Sequence, residues 1–133
     1  MTTRATGTFE ITTWEEQTYQ ELGAGAKLTR ASVTQCFRGD IEGVGTVEFL
    51  LMYPDSSCAF FAGMQRVVGK LNGRSGSFIL QTNGTYADGK AGADWFVVPG
   101  SATGELRGLH GNGGFSPVAG TSVPIRLDYN FED

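Results

Sequence analysis

The stretch Gly100-Ser101-Ala102-Thr103-Gly104-Glu105-Leu106-Arg107-Gly108-Leu109-His110-Gly111 decides the fold. A glycine recurs every three or four residues, with Leu106 and Leu109 between them. Glycine reaches backbone angles closed to other residues and lets two strands meet with no side chain between them. Such a run marks a tight corner in an all-β chain, with room for one helical turn near 101–105. By itself it makes no catalytic loop.

Outward from this corner the chain reads as strands. Phe9 and Ile11 alternate with polar residues over 6–14, and 15–25 is acidic, then glycine-rich, and reads as a long loop. Further strands are expected over 27–37, 42–53, 58–69, 74–85 and 90–98, a short one over 113–116 and a last one over 123–132. Their separators are turn sequences: Gly39-Asp40, Pro54-Asp55-Ser56-Ser57, Asn72-Gly73 and Asp88-Gly89. Asn-Gly and Asp-Gly are strong hairpin signals, because both central residues take positive φ. Consecutive hairpins of this length favour a closed eight-stranded antiparallel meander barrel over a sheet with exposed edges. The whole chain, 1–133, reads as a single domain.

Bulk properties narrow the function. At 133 residues with 40% hydrophobic and 18% charged content, the chain can fold around a core. The net charge of −4 and ten scattered basic residues argue against nucleic acid. No apolar run approaches the ~20 residues of a membrane helix, and residues 1–5 lead into a strand without a signal-peptide core. A cytoplasmic protein is expected. Cys36 and Cys58 read as buried thiols, and two cysteines with one histidine match no common metal set. No metal and no cofactor are expected.

Turn lengths set register, and register sets which face points inward. Taking Gly39-Asp40 as an even-length turn puts Ala31 opposite Glu48. Ala31, Val33, Gln35 and Phe37 then share the interior with Thr46, Glu48, Leu50 and Met52. A four-residue turn at 54–57 pairs Tyr53 with Cys58 and adds Ala59, Phe61, Gly63, Gln65 and Val67. The turns at 72–73 and 88–89 add Phe78, Leu80, Thr82, Ala93, Trp95 and Val97, and Phe9, Ile11, Leu127, Tyr129 and Phe131 join from the outer strands. The opposite face carries Val47, Phe49, Leu51, Tyr53, Phe60, Met64, Val68 and Ile79, apolar enough to imply either a homodimer interface or an exchange of inside and outside; Arg30, Ser32, Arg38 and Arg66 on the same face favour the interface.

Within that lumen Glu48 is the candidate catalytic group, since an acid in an apolar tube must find a partner or take up a proton. Its structural alternative is a fold-pinning hydrogen bond to Gln65 or Gln35. Gln35, Gln65 and Thr82 offer hydrogen bonds to a ligand, Trp95 and Phe61 flat walls, and Tyr129 a hydroxyl. Each has plain packing as its alternative. His110 is expected in an exposed loop.

The glycine corner resembles the Gly-Thr-Gly-x-Φ-x-Gly-Φ-x-Gly corner (Φ apolar) of allene oxide cyclases and dirigent proteins. Most of the chain resembles an uncharacterised bacterial family with the allene oxide cyclase-like barrel. The matching stretches are Ala5-Thr6-Gly7-Thr8-Phe9-Glu10, Lys27-Leu28-Thr29-Arg30-Ala31-Ser32-Val33, Gly39-Asp40-Ile41-Glu42-Gly43, Gly73-Arg74-Ser75-Gly76-Ser77-Phe78 and Val98-Pro99-Gly100-Ser101. The resemblance implies an eight-stranded meander barrel, often oligomeric, and no settled reaction. The family pattern has a histidine where this chain has Thr82, and often a glutamate where it has Gln65. Three functions are therefore expected to compete: a cofactor-free cyclase or isomerase of an apolar metabolite, a carrier or sensor of a hydrophobic ligand, and a filled barrel acting through its outer surface.

Overall fold

The computed structural model describes residues 2–118 and 120–132. The strands are β1 (Thr3–Gly23), β2 (Ala26–Gly39), β3 (Ile41–Asp55), β4 (Cys58–Leu71), β5 (Arg74–Ala87), β6 (Lys90–Val97), β7 (Thr103–Gly104), β8 (Leu109–Phe115) and β9 (Val123–Phe131). All pairings are antiparallel, in the order β4-β3-β2-β1-β9-β8-β6-β5-β7, and a β4–β5 pairing closes the sheet into a ring. The two-residue β7 is an annex on β5, through Ser77 and Gly76. The expected all-β meander is present, and the corner opens with a strand bridge where one helical turn was expected.

Three hairpins turn on two residues in the left-handed region: Ala24-Gly25, Asn72-Gly73 and Asp88-Gly89. The second and third follow from their Asn-Gly and Asp-Gly sequences. The first corrects the expected loop at 15–25, which is strand. β1 runs to Gly23 and pairs with β2 down to Ala26. In the corner, Gly100, Gly104 and Gly108 all have positive φ. A side chain at Gly108 would strike the Glu132 carbonyl. The corner drives Leu106 and Leu109 into full burial. His110 lies on β8 rather than in a loop, 3.3 Å from Glu132.

Register departs from expectation at two turns. Ala31 opposes Phe49, and Val33 opposes Val47. The cause is Asp40, which is tied to β1 by its side chain and its backbone. Its carboxylate accepts the Thr6 N–H at 2.9 Å, and its own N–H donates to the Thr6 carbonyl at 2.9 Å. Its carbonyl accepts the Asn72 N–H at 2.8 Å. Asp40 thus becomes the pivot of an odd-length turn. At the next turn Tyr53 does not pair with Cys58; the ladder shifts between Met52 and Asp55, beside Pro54, which has no N–H to give it. The two shifts cancel. β4, β5 and β6 face as expected, while β3 alone is inverted: Val47, Phe49 and Leu51 point inward, Glu48, Leu50 and Met52 outward. The outer face therefore loses Val47, Phe49 and Leu51 and gains Leu50, exposed alongside Phe60, Met64, Val68 and Phe96. Cys36 and Cys58 are free and half-buried, not fully buried.

The interior has two apolar clusters. The lower one gathers Phe9, Phe37, Ile41, Leu71, Phe78, Leu80, Trp95, Leu106, Leu109 and Leu127. The upper one gathers Ala31, Val33, Val47, Phe49, Leu51, Ala59 and Phe61. Gln35 and Gln65, both buried, lie along their strands between members of the two, and buried Thr82 follows Leu80 of the lower cluster on β5. Phe49 and Phe61 meet edge to face at 5.1 Å, and each ring sits over a glycine. A Cβ on Gly63 would come within 2.7 Å of the Phe49 ring, and one on Gly84 within 2.6 Å of Phe61. Gly63→Ala is therefore expected to destabilise the fold by about 1–3 kcal/mol, as overpacking does, read as a lower urea midpoint with unchanged slope.

Candidate functional site

The site follows from a fault in the β1–β2 ladder. Ile11 pairs with Gln35, but Thr13 pairs with Thr34, so Thr12 is an extra residue. Its hydroxyl donates to the Thr34 carbonyl at 3.1 Å. A bulge reverses which residues face inward beyond it. Up to the bulge the inward residues are Phe9 and Ile11; after it they are Trp14 and Glu16, where unbroken alternation would give Thr13 and Glu15. β1 also leaves its second neighbour here. It pairs with β9 only from Thr3 to Phe9, so the ring gapes above that point.

The gap opens onto a cavity of about 440 Å³ lined by aromatic and aliphatic side chains, including Trp14, Phe49, Phe61, Tyr86 and Phe115. Phe115, Val118, Gly120 and Val123 form part of its rim. Pro117 packs against β6 at Gly92, where a Cβ would come within 2.7 Å of the proline ring. Among the described residues Glu16 is the one charged group in the lining.

Glu16 is heavily hydrogen-bonded. Its Oε2 accepts the Thr29 hydroxyl at 2.6 Å and the Tyr53 hydroxyl at 2.6 Å. Its Oε1 accepts the Trp14 indole N–H at 3.0 Å. Burial pushes the carboxyl up, but these three donors, with Lys27 nearby, outweigh it and hold Glu16 below its ordinary value. Tyr53 moves the other way. Burial first, then its role as donor to Glu16, push it up to about 12. At neutral pH the pair is a carboxylate and a neutral phenol, and Oε1 keeps acceptor capacity toward the cavity. The Lys27 ammonium stacks 5.0 Å over the Tyr53 ring and does not line the cavity.

The residues expected from sequence are dispersed. Gln35 and Phe61 line the cavity. Gln65 is buried just beneath, donating to Gln35 Oε1 at 2.7 Å. Thr82 is 2% exposed, and its hydroxyl has no partner among the described residues. Trp95 belongs to the lower cluster, and its indole donates to the Arg126 carbonyl at 3.2 Å across Gly113 of β8. Tyr129 is at the far end, accepting from Asn72 at 2.6 Å. Glu48 is the main correction. The odd turn at Asp40 places it on the outer face opposite Met64, with half of its side chain exposed and 3.0 Å from Arg30. Hydrogen bonds from Ser32 and Arg30 hold its carboxyl below the usual value. The apolar enclosure that motivated a catalytic Glu48 is absent.

A larger concave surface of about 1360 Å³ lies outside the ring, bordered by Arg30, Glu48, Leu50, Met64, Phe96 and Asp128 among others. It is an open, polar-edged saddle and encloses little. Sequence reasoning missed Glu16, Tyr53 and Trp14. The available signal was the Trp14-x-Glu16 alternation resuming one residue out of step after the paired threonines.

Three outcomes check this geometry. Glu48→Gln should leave the melting temperature and any ligand affinity unchanged, since an exposed pair contributes little. Thr82→Val should raise stability by about 1 kcal/mol in chemical denaturation, because it removes a buried hydroxyl that has no partner. Glu16 has a lower pKa folded than unfolded, so its contribution is present above about pH 4.5 and lost as pH falls through the folded value. Glu16→Gln should flatten the acid limb of the stability–pH curve there, and Tyr53→Phe should raise the Glu16 pKa seen by carboxyl-carbon NMR.

Comparison with known proteins supports the fold and leaves function open. No curated protein matches the chain. A crystal structure of a protein of unknown function from Shewanella oneidensis MR-1, of the DUF3224 family, is 31% identical and superposes with a TM-score of 0.86, covering 100% of this chain and 99% of that one. The family model described as "Protein of unknown function (DUF3224)" matches residues 5–129. It spans β1 to β9, pivot, bulge and glycine corner included, and the chain belongs to that family.

Proposed function

We propose that this protein binds an apolar small molecule in the cavity at the open end of an allene oxide cyclase-like barrel. The observation that carries the reading is the 440 Å³ aromatic cavity at the gap where β1 parts from β9, with one hydrogen-bonded carboxylate at its edge. Ligand sites have this composition: apolar walls and a few placed polar groups that orient the guest. The lower half of the ring is filled by its own side chains, so the ligand reaches no deeper than Gln35 and Gln65.

Between a carrier or sensor and a cyclase or isomerase, the carboxylate favours binding without chemistry. A general base works best with a pKa near the working pH, whereas Glu16 is held below the ordinary carboxylate value. Tyr53, at about 12, is a poor acid at neutral pH. A shape-driven cyclisation needs neither group and stays the second reading.

A neutral environment-sensitive dye such as Nile Red is expected to brighten on binding the wild-type protein. Ala91→Phe, on the cavity wall, should weaken that binding about tenfold by occupying the volume, with the β-sheet circular dichroism retained. Undiminished dye binding by a folded Ala91→Phe variant would place the site elsewhere.

A further inference from the structure

We propose that the ligand carries a cationic ammonium head, seated against Glu16, with its apolar part directed inward over Phe49 and Phe61. The inference rests on the cavity reading above and adds the sign of the ligand's charge. Three observations converge. First, the one charged residue lining the cavity among the described residues is acidic, and no Lys or Arg joins it. An anionic head such as a fatty acid carboxylate would face Glu16 with no basic partner in the lining. Second, Glu16 is committed to its ionised form by hydroxyl donors on two neighbouring strands, Thr29 and Tyr53. Oε1 receives one described hydrogen bond, from Trp14, and is available to a further donor or a positive charge. Third, Glu16 is set among aromatic rings, with Trp14, Tyr53, Phe61 and Tyr86 all in the lining. Aromatic faces attract ammonium and quaternary ammonium groups through the ring quadrupole, whereas they have no such attraction for a carboxylate.

The groups around Glu16 are consistent with that choice. Thr29 and Tyr53 are neutral donors at neutral pH, and Tyr86 is a second phenol at the rim. Lys27 lies over the Tyr53 ring and outside the lining, so it moderates the negative field without offering an anion site within the cavity. An aliphatic amine or a trimethylammonium with a medium-length apolar chain meets every feature of the site; a neutral alcohol meets only the apolar walls and one hydrogen bond.

The test compares decyltrimethylammonium, 1-decanol and decanoate at pH 7, below micelle formation, by calorimetry and by the fluorescence of Trp14, with Trp95 as a buried background. Decyltrimethylammonium is expected to bind about tenfold more tightly than decanol, decanoate most weakly, and the preference to shrink with added salt. Glu16→Gln should bring the ammonium down to the affinity of the alcohol. The wild-type series decides the matter alone if that variant does not fold. Equal affinities, or decanoate binding most tightly, would overturn the charge assignment and leave the apolar cavity standing. Failure of all three ligands and of Nile Red would overturn the cavity reading, and the charge assignment with it.

Discussion

Asp40 is the constraint on which the site depends. It joins three strands' ends at one residue: side chain and N–H to Thr6 of β1, carbonyl to Asn72 at the β4–β5 turn. Because a strand alternates faces at every residue, slipping the β2–β3 pairing by one residue, as a two-residue turn at Gly39-Asp40 would, exchanges the two faces of β3. With the pivot at Asp40, β3 delivers Val47, Phe49, Leu51 and Tyr53 to the interior. With an even turn it would deliver Thr46, Glu48, Leu50 and Met52, and the cavity would have neither its Phe49 wall nor its Tyr53 donor. Closure reinforces the choice. β3 is paired on both sides over nearly its full length, so a slip would have to be matched in β2 and β4 together.

The Thr12 bulge is the second parity decision, and it acts on the opposite wall. Without it β1 would send Thr13 and Glu15 inward, and Trp14 would face outward, away from the acid. The bulge turns Trp14 and Glu16 inward together, where Trp14 lies 6.4 Å from Phe49 and donates to Glu16. Two one-residue irregularities, on strands separated by β2, thus meet at one hydrogen-bonded cluster. Bulges commonly re-aim side chains in this way beside functional sites.

Much of the fold was legible because its signals are local. Asn72-Gly73 and Asp88-Gly89 declare their hairpins within two residues, and the inward rows of β4, β5 and β6 follow from them by counting. The burial of Leu106 and Leu109 follows from the glycines around them. The site was less legible because its signals are not local. Nothing in Gly39-Asp40 alone says that Asp40 will bond to Thr6, thirty-four residues earlier. The error that turned Glu48 inward was then hidden by the shift beside Pro54, which restored correct facing in every later strand. The 15–25 segment reads as loop because it is polar; β1 there has one strand neighbour instead of two and little apolar surface to bury. Its turn uses alanine at φ 54°, a position where glycine, asparagine or aspartate is the usual marker.

The division of the interior into halves explains how one small domain can hold an open cavity. The lower half is paired all round, plugged by Leu106 and Leu109 from the corner, and filled by interlocked rings such as Phe9 with Phe37 and Phe115. It carries the larger share of the buried apolar area, the main favourable term in folding. The upper half loses β9 as a neighbour of β1 and leaves Ile11 and Trp14 about half exposed. Between them the Gln35–Gln65 hydrogen bond satisfies two buried amides at a level where an apolar side chain would merge the clusters. Mutations below this layer should therefore act on stability first. Those above it should act on what the cavity accepts, since the walls there are already partly wet and a guest that covers them recovers burial the fold alone leaves incomplete.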